Sequence, residues 1–314
     1  MRTAAALAAL TLISGGAPAI EGQSSSSGSE RGAFRAAVDI VTLNVTVADS
    51  SRRFITDLGQ DNFQVVEDGR PQQITYFRKT GISLALALLI DTSASMDQSL
   101  PIAQQAAIGF ARELTAGDLA SVIDFDSRVQ VLQELTNDHE SLERAIRQTR
   151  AGGTTSLYTA VYIALHELNK TVRGEPTADP RRRAIVLLSD GEDTSSLISF
   201  EEVLESVTHS DTAVYAIGLL GHDTFNPGSR SSEAEFVLRR LAQQTGGRAF
   251  FPTDAKALIG IYGQIRAELS NQYFLVYEST NTRHDGQFRR IAVRVVDRPG
   301  VVARARPGYF AAAR

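Results

Sequence analysis

The chain has 314 residues, 43% of them hydrophobic, which suits one α/β domain of ordinary size and a smaller companion. A formal net charge of −4 argues against a nucleic-acid binder that works through a basic field. There is no cysteine, so no disulfide staples the fold and no thiolate holds a metal.

In chain order, Met1-Arg2, an apolar stretch from Ala4 to Ile13 and Ala17-Pro18-Ala19 read as a secretory signal peptide over 1–19. The chain is therefore expected to be exported, to the periplasm or beyond the cell. The stretch falls short of the ~20 residues that span a bilayer, and no other apolar run approaches that length. Residues 20–34, Ser-rich between Gln23 and Glu30, read as a flexible linker. An N-terminal β arm is expected over 35–80. Val41, Leu43, Val45 and Val47 alternate with polar residues, the period of a half-buried strand. Residues 63–66 and 74–77 read as two more strands, with a turn through Glu67-Asp68-Gly69-Arg70-Pro71 between them.

Over 81–269 apolar strands alternate with helices. Strands are expected at 82–90, 120–125, 129–132, 184–188, 213–217 and 248–251, and helices at 157–168, 200–207, 233–242 and 255–269. Ser99-Leu100-Pro101 offers an N-cap and an early-turn proline for a further helix, whose Ala103, Ala106, Ala107, Phe110, Ala111 and Leu114 share one face. This alternation implies an α/β fold with a doubly wound, mostly parallel sheet covered on both faces. The Arg181-Arg182-Arg183 run reads as a solvated strand entry. A C-terminal β arm follows over 270–314, with alternation at Tyr273, Leu275 and Tyr277 and again at Ile291, Val293 and Val295. Neither arm has enough apolar surface to stand alone. The two are expected to pack as one small β-sandwich, with the α/β domain inserted between them.

Chemistry-bearing residues gather in three segments: Asp91-Thr92-Ser93-Ala94-Ser95, Gly152-Gly153-Thr154-Thr155 and Ser189-Asp190-Gly191. The first and third follow apolar strands, and groups at strand carboxyl ends share one crevice in an open α/β sheet. All the donors are oxygens, which suits Mg²⁺, Mn²⁺ or Ca²⁺ better than Zn²⁺. Two carboxylates and neutral hydroxyls leave such an ion incompletely neutralised, with a position open to an incoming oxygen. A carboxylate of a partner protein is the natural last ligand. Asp97, Glu192 and Asp193 read as loop acids, and His139, His166, His209, His222 and His284 lack ligand spacing. No G-x-S-x-G elbow, P-loop or H-E-x-x-H motif is present, so the chain is not expected to be an enzyme. A metal-dependent hydrolase or phosphatase, and a structural envelope protein stabilised by its metal, are the alternatives.

The D-x-S-x-S segment, the Gly-Gly-Thr loop and the Ser-Asp-Gly strand end resemble, in order and context, the von Willebrand factor A domain with its metal-ion-dependent adhesion site. The resemblance covers roughly residues 81–268. Asp57-Leu58-Gly59-Gln60-Asp61-Asn62-Phe63, Glu67-Asp68-Gly69 and Gly308-Tyr309-Phe310 also resemble the flanks of an exported bacterial group of A-domain-related proteins, abundant in acidobacteria. The resemblance implies a Rossmann-like fold and a divalent cation, Mg²⁺ first, held directly or through water by Asp91, Ser93, Ser95, Thr155 and Asp190. It implies a protein partner bound through a Glu or Asp. Thr154 is the alternative to Thr155; spacing to Ala160 in Leu-Tyr-x-Ala favours Thr155.

Overall fold

The computed structural model describes residues 39–79, 81–174, 181–190, 193–219 and 230–313. The expected signal peptide and linker lie outside them, as do Gly191 and Glu192. Four strands come first: β1 (Ile40–Asp49), β2 (Phe63–Glu67), β3 (Arg70–Gln72) and β4 (Ile74–Arg78). The α/β region then runs through β5 (Leu84–Asp91), α1 (Leu100–Arg112), β6 (Leu119–Phe125), β7 (Val129–Thr136), α2 (His139–Gln148), α3 (Leu157–Gly174), β8 (Arg182–Ser189), α4 (Phe200–His209), β9 (Thr212–Gly218), α5 (Arg230–Gln244), β10 (Ala249–Phe250) and α6 (Leu258–Ser270). Four more strands close the chain: β11 (Tyr273–Glu278), β12 (Phe288–Val295), β13 (Val301–Arg304) and β14 (Gly308–Phe310).

The central sheet has six strands in the order β10-β9-β8-β5-β6-β7, and β7 alone is antiparallel to its neighbour. β5 is buried along its whole length, because helices cover both faces and leave no side free for polar residues. Leu84, Leu86, Leu88 and Ile90 pack under α1, α2 and α6, while Ala85, Ala87 and Leu89 pack under α3, α4 and α5. The expected face of α1 is buried as read. Ser99 occupies its N-cap position, but the side chain makes no capping hydrogen bond. Helix α2 escaped the sequence reading. It is announced by Asp138, whose carboxylate accepts from the Glu140 and Ser141 amides, and it buries Leu142, Ala145 and Ile146.

The arginine run is not a solvated entry. Arg182 and Arg183 lie inside β8 and alternation sends them to opposite faces. Arg182 donates to the Ile82 carbonyl at 2.9 Å and also to the Leu269 carbonyl, so one guanidinium holds both ends of the α/β region.

The two β arms interleave. One four-stranded sheet runs β13-β1-β11-β4 and the other β14-β12-β2-β3, so each mixes strands from both ends of the chain. β1 meets β11 from Ile40↔Glu278 to Val45↔Tyr273, and β2 meets β12 from Phe63↔Val295 to Glu67↔Ile291. The sheets enclose Val41, Leu43, Val45, Val47, Phe63, Val65, Leu275 and Ile291. Pro71 is tolerated because β3 is an edge strand. Glu67, only 2% exposed, accepts hydroxyl hydrogen bonds from Tyr277 (2.7 Å), Ser279 (2.6 Å) and Tyr309 (3.2 Å). Glu67 of the Glu-Asp-Gly motif and Tyr309 of the Gly-Tyr-Phe motif therefore meet in one buried cluster.

Where the sandwich meets the α/β region, Glu268 near the end of α6 is 2% exposed. It accepts from Tyr215 of β9 at 2.7 Å, from Thr46 of β1 at 3.3 Å and from Arg304 of β13. Gln272 adds bonds to Tyr215 at 3.0 Å and Thr46 at 3.3 Å. Glu268→Ala strips Arg304 and Tyr215 of their acceptor and is expected to lower unfolding stability by about 3 kcal/mol. Glu143→Ala, in an exposed pairing with Arg112 and Arg147, should change it far less. Urea denaturation of the two variants beside wild type measures the difference.

Candidate metal centre

The switch point of the sheet lies between β5 and β8, where the strand order turns outward in both directions. Asp91 is the last residue of β5, Ser189 is the last of β8 and Asp190 directly follows it. Asp91 is fully buried. Its Oδ1 accepts from the Ser93 amide at 2.8 Å and its Oδ2 from the Ser189 hydroxyl at 2.5 Å. Beyond Ser93 the chain makes a short 3₁₀ turn, Ala94–Met96, pinned by the fully buried Met96. That turn sets the Ser93 and Ser95 hydroxyls 3.1 Å apart, and Ser95 donates to Asp190 Oδ1 at 3.0 Å. Asp91, Ser93, Ser95 and Asp190 are thus linked by short polar contacts across the crevice.

The Gly-Gly-Thr-Thr segment is stitched to this loop through its backbone. Gly152 N donates to Thr92 O at 2.7 Å, and Ala94 N donates to Gly153 O at 3.1 Å. Gly153 has a φ of +74°, and a Cβ there would stand 3.0 Å from Ser127 Oγ and 3.1 Å from Asp126 Oδ2, so the position calls for glycine. The two threonines differ. Thr154 is exposed and its hydroxyl donates to Ser195 Oγ at 2.9 Å. Thr155 is buried, and its backbone is engaged by Thr194 and Ser195. Its side-chain oxygen makes no hydrogen bond among the described residues, which leaves it the freer donor of the two.

Three contributors have roles the sequence does not assign them. Ser189 fixes the Asp91 carboxylate from across the crevice. Ser195 bridges Thr154 and Ser156 at 2.9 Å each. Asp193 is an organiser of the loop and not merely a solvated acid: it accepts from the Tyr158 amide in the first turn of α3 at 3.1 Å and from the Ser196 amide at 3.2 Å. The hydroxyl run Thr194-Ser195-Ser196 directly after the acidic strand end was the available signal. Asp97 is exposed, as a loop acid should be.

The crevice is electrostatically uncompensated. Burial, and to a lesser degree the charge of Asp190, pushes the Asp91 carboxyl up to about 6 from its usual 3.8, against hydrogen bonds from Ser189 and Ser93. Burial also raises Asp190, against its bond from Ser95. Asp124, at the carboxyl end of β6, is pushed up to about 6 by burial and then by Asp126. Neither Asp91 nor Asp190 forms an ion pair among the described residues. A buried and a half-buried carboxylate beside neutral hydroxyls are a donor set that fits a hard divalent cation.

Fold and donor set together define a class: an α/β domain presenting an oxygen-lined crevice at its switch point. Residues 85–264 match the von Willebrand factor type A domain, and the chain belongs to that family. The inter-alpha-trypsin inhibitor heavy chain H1 of Sus scrofa is 25% identical over 271 residues, 79% of this chain and 28% of its own length. The UPF0353 protein of Mycolicibacterium paratuberculosis is 26% identical over 209 residues, 59% of this chain and 60% of its own. The chain thus spans less than two-thirds of these relatives. Among solved structures, a von Willebrand factor type A protein from Catenulispora acidiphila shares the fold with a TM-score of 0.50 at 15% identity, over 88% of this chain and 74% of that one.

The raised Asp91 value has a definite sign. Its folded-state pKa of about 6 lies above the ordinary 3.8, so the metal-free fold loses stability as pH rises through that window and the carboxylate ionises in place. At neutral pH the loss is on the order of 3 kcal/mol. A cation that requires the ionised form restores it. The rise in melting temperature on adding Mg²⁺ is therefore expected to grow from pH 5 to pH 7. Metal-free Asp91→Asn should melt no lower than metal-free wild type at pH 7 and show no Mg²⁺ response, as read by calorimetry.

Proposed function

We propose that this chain is an exported, metal-dependent protein-binding module and not an enzyme. A divalent cation, Mg²⁺ first with Mn²⁺ and Ca²⁺ as alternatives, would be held by Asp91, Ser93, Ser95, Thr155 and Asp190, directly or through water. The observation that carries the reading is the unbalanced charge of the crevice: buried Asp91 and half-buried Asp190 meet neutral hydroxyls and, among the described residues, no basic side chain. When bound, the ion supplies an open position for the carboxylate of a partner protein, because its shell from this chain leaves it under-neutralised. The loops hold the oxygens in place before any partner arrives, which lowers the ordering cost of binding. No histidine lines the described loops of the crevice, so an obvious general base for hydrolysis is lacking there. Among the described residues no helix is long and apolar enough to cross a membrane. The leader-like start of the sequence supports export.

Capture experiments test this reading. Wild type and Asp91→Ala, each with Mg²⁺ or with EDTA, would be used to pull proteins from the native envelope fraction. A protein retained by wild type with Mg²⁺, and lost in the other three conditions, is the expected result. Identical capture in all four would remove the metal from the function. Phosphatase activity that depends on Mg²⁺ and on Asp91 would instead move the chain to the hydrolase alternative.

A further inference from the structure

About 23 Å from the metal centre, at the opposite end of β8, a cavity of about 280 Å³ opens between α3 and α4. Its size is near the lower end of the ~300–1,000 Å³ usual for ligand sites. One wall is Tyr162 and Leu165 of α3; Tyr162 is a large aromatic left 51% exposed. Arg183 lines it from the start of β8, with His166 and Asn169 beside it.

The charge here is unbalanced in the positive sense. Arg183 and Arg306 are 14% and 11% exposed and share a single carboxylate, that of Asp211. Arg306 takes the closer contact at 2.6 Å, while Arg183 is left with a long one at 3.5 Å. Neither guanidinium meets a second carboxylate among the described residues. Arg183 also donates to Asn169 Oδ1 at 2.6 Å, and the Asn169 amide nitrogen makes no hydrogen bond among the described residues. A nearly buried guanidinium with little counter-charge is costly unless an anion joins it. The carboxyl end of α4 opposes an anion, but with about half a charge against a full one. Asp211, 45% exposed, is already committed to Arg306.

We propose that this cleft is a second binding site, for a small organic anion whose carboxylate or phosphate pairs with Arg183 and whose apolar body lies against Tyr162 and Leu165. The guanidinium supplies bidentate geometry for either head group. The site is independent of the cation at the crevice.

Titration calorimetry on the full chain in EDTA, which removes any metal-bound carboxylate, tests the proposal. Benzoate and phenyl phosphate serve as anionic probes and benzylamine as their cationic counterpart. Saturable binding of at least one anion is expected, the tighter of the two naming the head group. Arg183→Gln should weaken it at least tenfold and Tyr162→Ala several-fold, with no benzylamine binding. Tyr162 is exposed, so its variant reports on the site even if Arg183→Gln fails to fold. No saturation by either anion, undiminished binding in the folded variants, or equal binding of benzylamine would overturn the proposal.

Discussion

Asp91 places a carboxyl at the end of a strand buried along its whole length, and much of the site's design answers that problem. The strand is buried because helices cover both faces of the sheet, and its carboxyl end falls at the switch point because β6 and β8 flank β5. Ser93 of the following loop and Ser189 at the end of β8 give the carboxylate an amide and a hydroxyl, but no positive charge comes from the described residues. Gly153, in its left-handed conformation, lets the second loop close against Asp126 and Ser127 without a side chain in the way. The geometry is thus finished within the chain, while the electrostatics are left open.

The junction with the sandwich shows the opposite treatment of a buried acid. Glu268 has Arg304, Tyr215 and Thr46 around it, so its charge and its lone pairs are answered locally. Glu67 is answered by three hydroxyls. Glu67, like Asp91, meets neutral groups alone among the described residues; what sets the crevice apart is that two carboxylates, Asp91 and Asp190, share it with no counter-charge among those residues. Arg183 marks a second, smaller imbalance of the other sign.

Much of this was legible in the chain. The continuous apolar run of β5 and the strict alternation of Val41, Leu43, Val45 and Val47 declare a doubly covered strand and a half-covered one. The oxygen donors of the crevice stand in recognisable order after their strands. Other features resist reading because they depend on partners far away in sequence. β3 and β13 are short edge strands with little periodicity of their own. Three consecutive arginines suggest solvation, yet in a strand alternation turned Arg182 toward Leu269 and Arg183 toward Asn169. The role of Ser189 rests on a hydrogen bond to a residue 98 positions earlier. Helix α2 does carry a local signal, in Asp138 and the spacing of Leu142, Ala145 and Ile146.

The interleaved arms also set an order of assembly. Glu67 and Tyr309, which meet in the finished sandwich, are 242 residues apart in sequence. A nascent chain therefore presents the amphipathic strand β1 long before β11 and β13 exist to flank it, an interval of exposed strand edge. The α/β segment can fold during that wait, and its completion brings Ile82 and Leu269 to the same guanidinium, that of Arg182. The span separating the arms, from Ile82 to Leu269, then contracts to the width of one side chain. Most of the loop-closure entropy is removed before the last strands arrive. Folding of the insert is in this sense the step that makes its host possible.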